Sequence, residues 1–478
     1  MRKTKIICTM GPNTNDRAMM KRLAEEGMNI ARFNFSHGSH EEQKGRMDLL
    51  KSVREEIGKP IAILLDTKGP EIRTGLLKDG KKVKLEAGEL FTLTTEEIEG
   101  DARKVSITYD GLAEDVEPGK RILIDDGLIE LEVKTISGSE ITCKVLNGGE
   151  LGERKGVNVP NVPVRLPALT KKDREDIIFG VEQGIDFIAA SFVRSAEGIL
   201  EIRALLKECG APYIPIIAKI ESAEGIKNID EIIHCADGIM VARGDLGVEI
   251  PAEKVPYLQK MLIKKCNDNY KPVITATQML DSMIRNPRPT RAEVTDVANA
   301  VYDGTDAVML SGETAQGKYP AEALQMMVHI IENTEKHLDY DVLLEKAQEH
   351  RKKGISSAIG YSSVATAMNL SAKCIITPSV TGATARVVSK FKPKADIIGV
   401  TPCEETLRRM QIYWGVTPVK SIEYNTTEDI CNDAIDLVTA KRLVEPGLIV
   451  IITSGIPSPT IKGSRDGVAR MMRIAVVE

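Results

Sequence analysis

The chain has 478 residues, 42% apolar and 28% charged, with a formal net charge of −5 and no apolar run of 18 or more. That length gives about two to four domains, and the absence of a long apolar run and of a basic tract argues against a membrane-spanning helix and a nucleic-acid surface. Eight cysteines stand singly without a CxxC, and six histidines show no paired-ligand spacing. These patterns argue against a zinc site and a disulfide framework, fit a reducing cytoplasm, and leave a hard, oxygen-liganded cation as the plausible metal. The basic start MRKTKIICTMGPN has an apolar run too short for a secretory signal.

In chain order, strand-like apolar runs alternate with amphipathic helical stretches, the pattern of an α/β protein with a parallel sheet. Strands are expected at Lys5–Met10, Met28–Phe35 and Ile61–Thr67. After an interruption the pattern resumes with a helix at Lys171–Gln183. Strands follow at Asp186–Val193, Pro215–Glu221, Gly238–Ala242, Pro272–Thr277 and Asp306–Leu310, each with a helical stretch after it, the last being Pro320–His337. Eight such pairs fit a (β/α)8 TIM barrel better than an open sheet, although periodicity alone also permits an open doubly wound one. The interruption, Gly69 to Pro167, carries short alternating runs such as KRILIDDG and EITCKVLNGG, broken by Gly at turn spacing. That is the pattern of a small β-barrel or sandwich. Inserted after strand three, where barrel enzymes carry their chemistry, it suits a lid.

From Gly354 a third unit begins. It has helices at Ser356–Leu370, Thr384–Phe391, Glu404–Trp414 and Glu428–Arg442, and strands at Cys374–Thr377, Asp396–Val400, Leu448–Thr453 and a last run Met471–Val477. This reads as a doubly wound α/β domain, joined by a charged helix at 341–353. No internal repeat is evident. The expected domains are 1–69 with 170–340 (barrel), 70–169 (inserted β-barrel lid) and 354–478 (C-terminal α/β domain).

Charge concentrates in Pro215–Gly247. Lys219 and Glu221 flank Ile220 and share one strand face, and the next apolar run breaks into Arg243-Gly244-Asp245-Leu246-Gly247. Charges ending apolar barrel strands are costly to bury and mark function. The reading adopted is that Glu221 and Asp245 hold a divalent cation and Lys219 fixes a positive charge beside it. Two carboxylates leave room for the water and substrate oxygens that complete a magnesium shell. The plainer reading, structural ion pairs Lys219–Glu221 and Arg243–Asp245, explains poorly why several strand ends should crowd charge at one mouth.

Strand two places Arg32, Asn34 and Ser36 on one face, a set suited to a phosphate and a cation, where an isolated Arg would sooner cap a helix. Asp66 and Thr67 add oxygens if strands two and three are neighbours; Asp66 alone is equally well a turn residue. Thr277 shares a face with Thr275 and Met279 and offers a hydroxyl at the mouth. Ser311 and Glu313 are similarly placed, with helix capping an equal explanation. The Gly244–Gly247 turn can present backbone N–H groups to a carboxylate or phosphate.

Taken together, ICTMGP, RFNFSHG, LLDTKGPEIRTG, KGVNVP, LPALTKKD, AASFVR, AKIES, DGIMVARGDLGVEIP, TATQMLDSMIRNPRPTRAEVTDVANAV and DGTDAVMLSGETAQGKYP resemble pyruvate kinase, in that family's order from residue 6 to about 320. The resemblance implies a homotetramer acting on phosphoenolpyruvate and ADP with Mg²⁺ or Mn²⁺ and K⁺. It implies that Arg32 contacts the phosphate in transfer, that Asn34, Ser36, Asp66 and Thr67 bind K⁺, and that Glu71 is the residue type of potassium-requiring members. Arg73 and Lys155, with Asn34 and His37, would bind the nucleotide. Glu221 and Asp245 would bind the divalent metal, and Gly244, Asp245 and Thr277 would surround the substrate carboxylate. Lys219 would stabilise the moving phosphoryl group, and Thr277 with Ser311 and water would relay a proton to enolpyruvate.

The run Thr377–Arg386 resembles the loop by which regulated members hold a sugar phosphate, so a sugar-phosphate or nucleotide effector is expected at Thr381, Gly382, Thr384 and Arg386. The segment 453–474 lacks the Gly-Thr-Thr-Asn that the resemblance leads one to expect there. Two other readings compete. Barrel lyases or aldolases give no reason for the lid or Arg73, and a non-catalytic sensor would be expected to have lost Lys219, Glu221 or Asp245.

Overall fold

The structure is a computed structural model and describes residues 1–349, 351–422, 426–455 and 469–478; most of the segment 453–474 lies outside them. Eight strands, β1 (Lys5–Met10), β2 (Ile30–Asn34), β3 (Ala62–Asp66), β4 (Phe187–Ala190), β5 (Ile216–Ile220), β6 (Gly238–Ala242), β7 (Val273–Ala276) and β8 (Ala307–Leu310), form a closed barrel. Every pairing is parallel, and β8 closes on β1. The barrel therefore forms as expected and the open sheet does not. Outward side chains such as Phe33, Leu65 and Ile188 join the helices in the largest core. Inward ones, among them Ile7, Leu64, Phe187, Ile217, Met240 and Met309, fill the interior. With both faces buried, the strands read as unbroken apolar runs.

The starts of the strands share a device. Asn29, Asp186, Asp237 and Asp306 each precede an even-numbered strand, and their side-chain oxygens accept the N–H of Ile6, Ile63, Ile216 and Val273, at the starts of the preceding odd strands, at 2.8–3.0 Å. Their own N–H groups donate back to the carbonyls of the same four residues. Each pair β1–β2, β3–β4, β5–β6 and β7–β8 is thus clamped at its base by a two-way exchange. This fourfold pattern is a structural repeat where the sequence shows none.

In the insertion, seven strands are ordered 72–73, 156–158, 121–124, 129–137, 140–147, 90–94 and 104–106. A bridge from Thr74 to Ile107 joins the first to the last and closes the ring around its own core.

The C-terminal unit has β9 (Cys374–Pro378), β10 (Asp396–Thr401), β11 (Val416–Lys420), β12 (Ile449–Ser454) and β13 (Met471–Val476) in the order β11-β10-β9-β12-β13. The first four are parallel and β13 is antiparallel. The expected helix Glu404–Trp414 ends at Arg409, continues as a 3₁₀ turn at Met410–Ile412, and gives way to β11, a strand not expected from sequence. Pro418 reads against a strand, yet β11 is an edge strand, where a missing N–H is tolerated. This unit docks on the strand-start end of the barrel. Ile412 joins the barrel's interior cluster, Arg408 Nε donates to Asp186 at 2.7 Å, and Lys390 and Lys392 pair with Asp306 at 2.5 and 3.1 Å.

Candidate active site

The inward series of each strand is apolar until its C-terminal end and then turns polar. Ile7 leads to Thr9, Ile30 to Arg32, Leu64 to Asp66, Ala189 to Ser191 and Ile217 to Lys219. Alternation alone therefore gathers these side chains at one mouth. Asp66, fully buried, is the hub: it accepts Arg32 Nε at 2.6 Å and Lys219 Nζ at 3.1 Å, with Ser191 Oγ 3.3 Å away. Arg32 also donates to Thr9 Oγ1 at 3.1 Å. Lys219 reaches Ser191 Oγ at 2.7 Å and Glu221 Oε1 at 2.9 Å. Glu221 Oε2 accepts the Phe192 N–H at 2.6 Å, an amide presented by a left-handed backbone at φ +53°.

Burial disfavours the Lys219 ammonium, but Asp66 and Glu221 outweigh it and hold its pKa above the ordinary lysine value. For Asp66, burial is outweighed by Arg32 and Lys219, so its carboxyl lies below the usual range. Glu221 goes the other way. Burial pushes it up to about 7, Lys219 opposes this, and the Asp245 charge adds to it. The Asp245 carboxylate makes no hydrogen bond or ion pair among the described residues. Two neighbouring carboxylates, one unpaired and one pushed toward protonation chiefly by burial and further by the other's charge, form the hard-oxygen donor set that a divalent cation would neutralise. Glu221 and Asp245 fit such an ion. Asn34 and Asp66 are in register across β2 and β3. The Ser36 N–H donates to Asn34 Oδ1 at 3.1 Å, and the Thr67 hydroxyl accepts the Ser191 N–H at 3.1 Å. This oxygen-only group at adjoining strand ends fits a monovalent cation.

Arg243 pairs not with Asp245 but with Asp296, at 2.7 Å, and donates to the Ala276 and Thr277 carbonyls. It therefore anchors the turn instead of lining the site. Thr277, at φ +67°, accepts the Gly244 N–H at 2.7 Å, which ties β7 to the Asp245 turn. Glu313 is used structurally, accepting the N–H groups of Ser311 and Leu280. The buried Ser311 hydroxyl has no partner among the described residues.

A cleft of about 730 Å³ lies between lid and barrel, with Arg73, Lys155, Asp125 and Asp126 on the lid side and Asp245 and Glu249 on the barrel side. Arg73 pairs with Glu71 at 2.7 Å, Lys155 pairs with Asp125 at 2.9 Å, and Asn158 Nδ2 reaches across to Glu249 Oε1 at 3.0 Å. Burial, then Asp245 and Asp125, pushes the Asp126 carboxyl up. His37 is exposed on the turn after β2 and is not among the described residues lining the cleft.

Remote from all this, Thr381 is exposed and Gly382 takes φ +75° ahead of the helix Ala383–Ser389, with buried Thr384 inside it. The charge of Arg386 acts on Lys271 and Tyr413 at the barrel base. Ser191, the Phe192 amide and the Asp125-Asp126 turn were not singled out from sequence. Only the parity of Phe187 and Ala189 could have pointed to Ser191.

Comparison with known proteins matches the pyruvate kinase barrel-domain family over residues 1–324 and the pyruvate kinase alpha/beta-domain family over 357–474. The chain belongs to the pyruvate kinase family. It is 52% identical over 478 residues to a pyruvate kinase of Geobacillus stearothermophilus, covering all of this chain and 80% of that one. It is 49% identical over 479 residues to that of Clostridium acetobutylicum, covering all of both. A crystal structure of a pyruvate kinase from Cryptosporidium parvum superposes with a TM-score of 0.93 at 40% identity, covering all of this chain and 96% of that one. The enzyme accordingly transfers the phosphoryl group of phosphoenolpyruvate to ADP, giving pyruvate and ATP, the glycolytic reaction of a family that uses a divalent metal and K⁺. No helix among the described residues is long and apolar enough to cross a membrane.

Proposed function

We propose that transfer takes place at the barrel mouth, and the observation carrying this reading is the Arg32–Asp66–Lys219–Glu221 array with Asp245 unpaired beside it. Phosphoryl transfer depends chiefly on positioning and charge neutralisation. Lys219, kept charged by two carboxylates, meets the migrating phosphoryl group, and Arg32 on β2, braced by Asp66 and Thr9, holds the same group from across the mouth. Glu221 and Asp245 hold Mg²⁺ or Mn²⁺, and Asn34, Ser36, Asp66 and Thr67 hold K⁺; when bound, these ions offset the repulsion between two anionic substrates. Gly244, Asp245 and Thr277 surround the substrate carboxylate. Arg73 and Lys155 take the nucleotide from the lid side, with Asn34 and His37 contributing from the barrel. Thr277 and Ser311, the latter with a free hydroxyl among the described residues, hand a proton to enolpyruvate through water.

The working units are 1–69 with 170–340, 70–169 and 354–478, in a cytoplasmic homotetramer. A sugar-phosphate or nucleotide effector binds at Thr381, Gly382, Thr384 and Arg386.

The test is initial-rate kinetics with Mg²⁺ and K⁺ varied separately, in the presence and absence of candidate effectors. Asp245→Asn is expected to raise the half-saturating Mg²⁺ concentration by about 10- to 100-fold while leaving the K⁺ requirement in place. An unchanged Mg²⁺ curve would take Asp245 out of the metal site.

A further inference from the structure

Both connections between lid and barrel are held by one short segment, residues 191–194 beyond β4, and its neighbours. The outgoing connection leaves at Gly69, whose φ of +74° is left-handed and where a Cβ would come within 2.8 Å of Ser191 Cβ. The returning connection, 162–166, is a strip whose two edges face different bodies. The Arg165 N–H and Nε hold the lid, donating to Asp115 at 3.1 and 2.7 Å. The carbonyls on either side, Val164 and Leu166, accept Nη1 and Nη2 of Arg194 at 2.9 and 2.5 Å. Arg194 is itself fixed, because Asn228 Nδ2 donates to its carbonyl at 2.9 Å. Within the same segment, Ser191 accepts Lys219 and donates to the Thr67 carbonyl at 2.6 Å, and Phe192 donates to Glu221.

We propose that Arg194 is a positioning residue for phosphoryl transfer: by gripping two carbonyls of the returning connection it sets the lid over the cleft in register with Lys219 and Glu221. A planar guanidinium spans two carbonyls at once, whereas an ammonium is a point donor. The carbonyls are neutral, so what a substitution removes is geometry, and misplacing reactants by about 1 Å can cost 10²-fold in rate. The inference rests on the reading that Arg73 and Lys155 present the nucleotide from the lid.

The test uses Arg194→Gln and Arg194→Lys in the full chain. The expected result for Arg194→Gln is a KM for ADP raised about fivefold or more and a kcat lowered about tenfold, with calorimetric binding of phosphoenolpyruvate and Mg²⁺ in the absence of ADP within about twofold of the parent. Arg194→Lys, which keeps the charge but loses the fork, is expected to fall on the same side. Amide hydrogen exchange of peptides covering 160–169 is expected to quicken while the barrel strands stay protected. Should Arg194→Gln not fold, Arg194→Lys is read by the same criteria. Parent-like ADP kinetics with parent-like exchange, or an equal loss of phosphoenolpyruvate binding and barrel protection, overturns the proposal. The underlying nucleotide reading fails separately, if Arg73→Ala leaves the KM for ADP unchanged.

Discussion

Lys219→Met is expected to lower kcat by about 10²- to 10³-fold, the loss that follows removal of one preorganised electrostatic donor from a dry site. The ammonium is held by three acceptors, Asp66, Ser191 and Glu221, at 2.7–3.1 Å. It therefore does not have to reorganise as charge builds on the phosphoryl group. Methionine fills similar space but offers no charge, and neither Arg32 nor Arg73 is placed to replace it, since both are committed to other partners. The KM for phosphoenolpyruvate is expected to move far less than kcat, because the lost interaction strengthens in the transition state. Asp66 keeps Arg32 in the variant, so the fold should persist, which a thermal melt verifies. Turnover close to that of the parent would remove Lys219 from the mechanism.

The second large effect concerns stability. Asp306→Asn is expected to destabilise the chain by about 3–5 kcal/mol, the usual consequence of removing one partner from a buried ion pair. Asp306 is 0% exposed and the Lys390 side chain 1%. Asparagine retains an oxygen for the Val273 N–H, so the substitution isolates the charge from the clamp. Burial raises the Asp306 pKa, but Lys390 and Lys392 outweigh it and hold the carboxyl below its ordinary value. Its contribution is therefore in place above the unfolded carboxylate value near 4 and fades as pH falls through the depressed folded value.

Asp186 has the same clamp geometry but the opposite sign. There burial prevails over Arg408 and the pKa is raised. Ionised Asp186 thus weighs against folding above the unfolded value, and acid relieves it. Asp186→Asn is accordingly expected to be the milder change, about 1–2 kcal/mol. Denaturant melts of both variants at two pH values test the contrast, and equal losses would refute it.

What sequence conveys here follows from where each side chain's partners lie. The barrel strands are legible because two buried faces leave an apolar run with no competing pattern. Lys219 is legible because it breaks that run on the inward parity of Ile217. Ser191 obeys the same parity but resembles any serine in a turn. Asp125 and Asp126 read as part of a hairpin turn, and both do adopt left-handed backbone at φ +56° and +55°. That they face Asp245 depends on how the lid sits, which no local pattern encodes. The clamps escape notice for a related reason. Each is one Asp or Asn at uneven spacing, and its partner is a backbone N–H on another strand. β11 is hidden by Pro418, whose meaning depends on the strand lying at a sheet edge.

The clamp between Ile63 and Asp186 also bears on how a barrel can host so large a guest. The insertion interrupts one clamped pair, β3–β4, yet its two ends stay together: the Gly69 N–H donates to Asp173 Oδ1 at 2.9 Å, and the Thr170 hydroxyl to Asp173 Oδ2 at 2.5 Å. The host therefore keeps the ends of the interrupted pair tied whether or not the guest is present, and the entropy of the long excursion rises only slowly with its length. Excision of the guest, with a short turn joining the ends, should leave a barrel that still closes, competent to fold but without a roof.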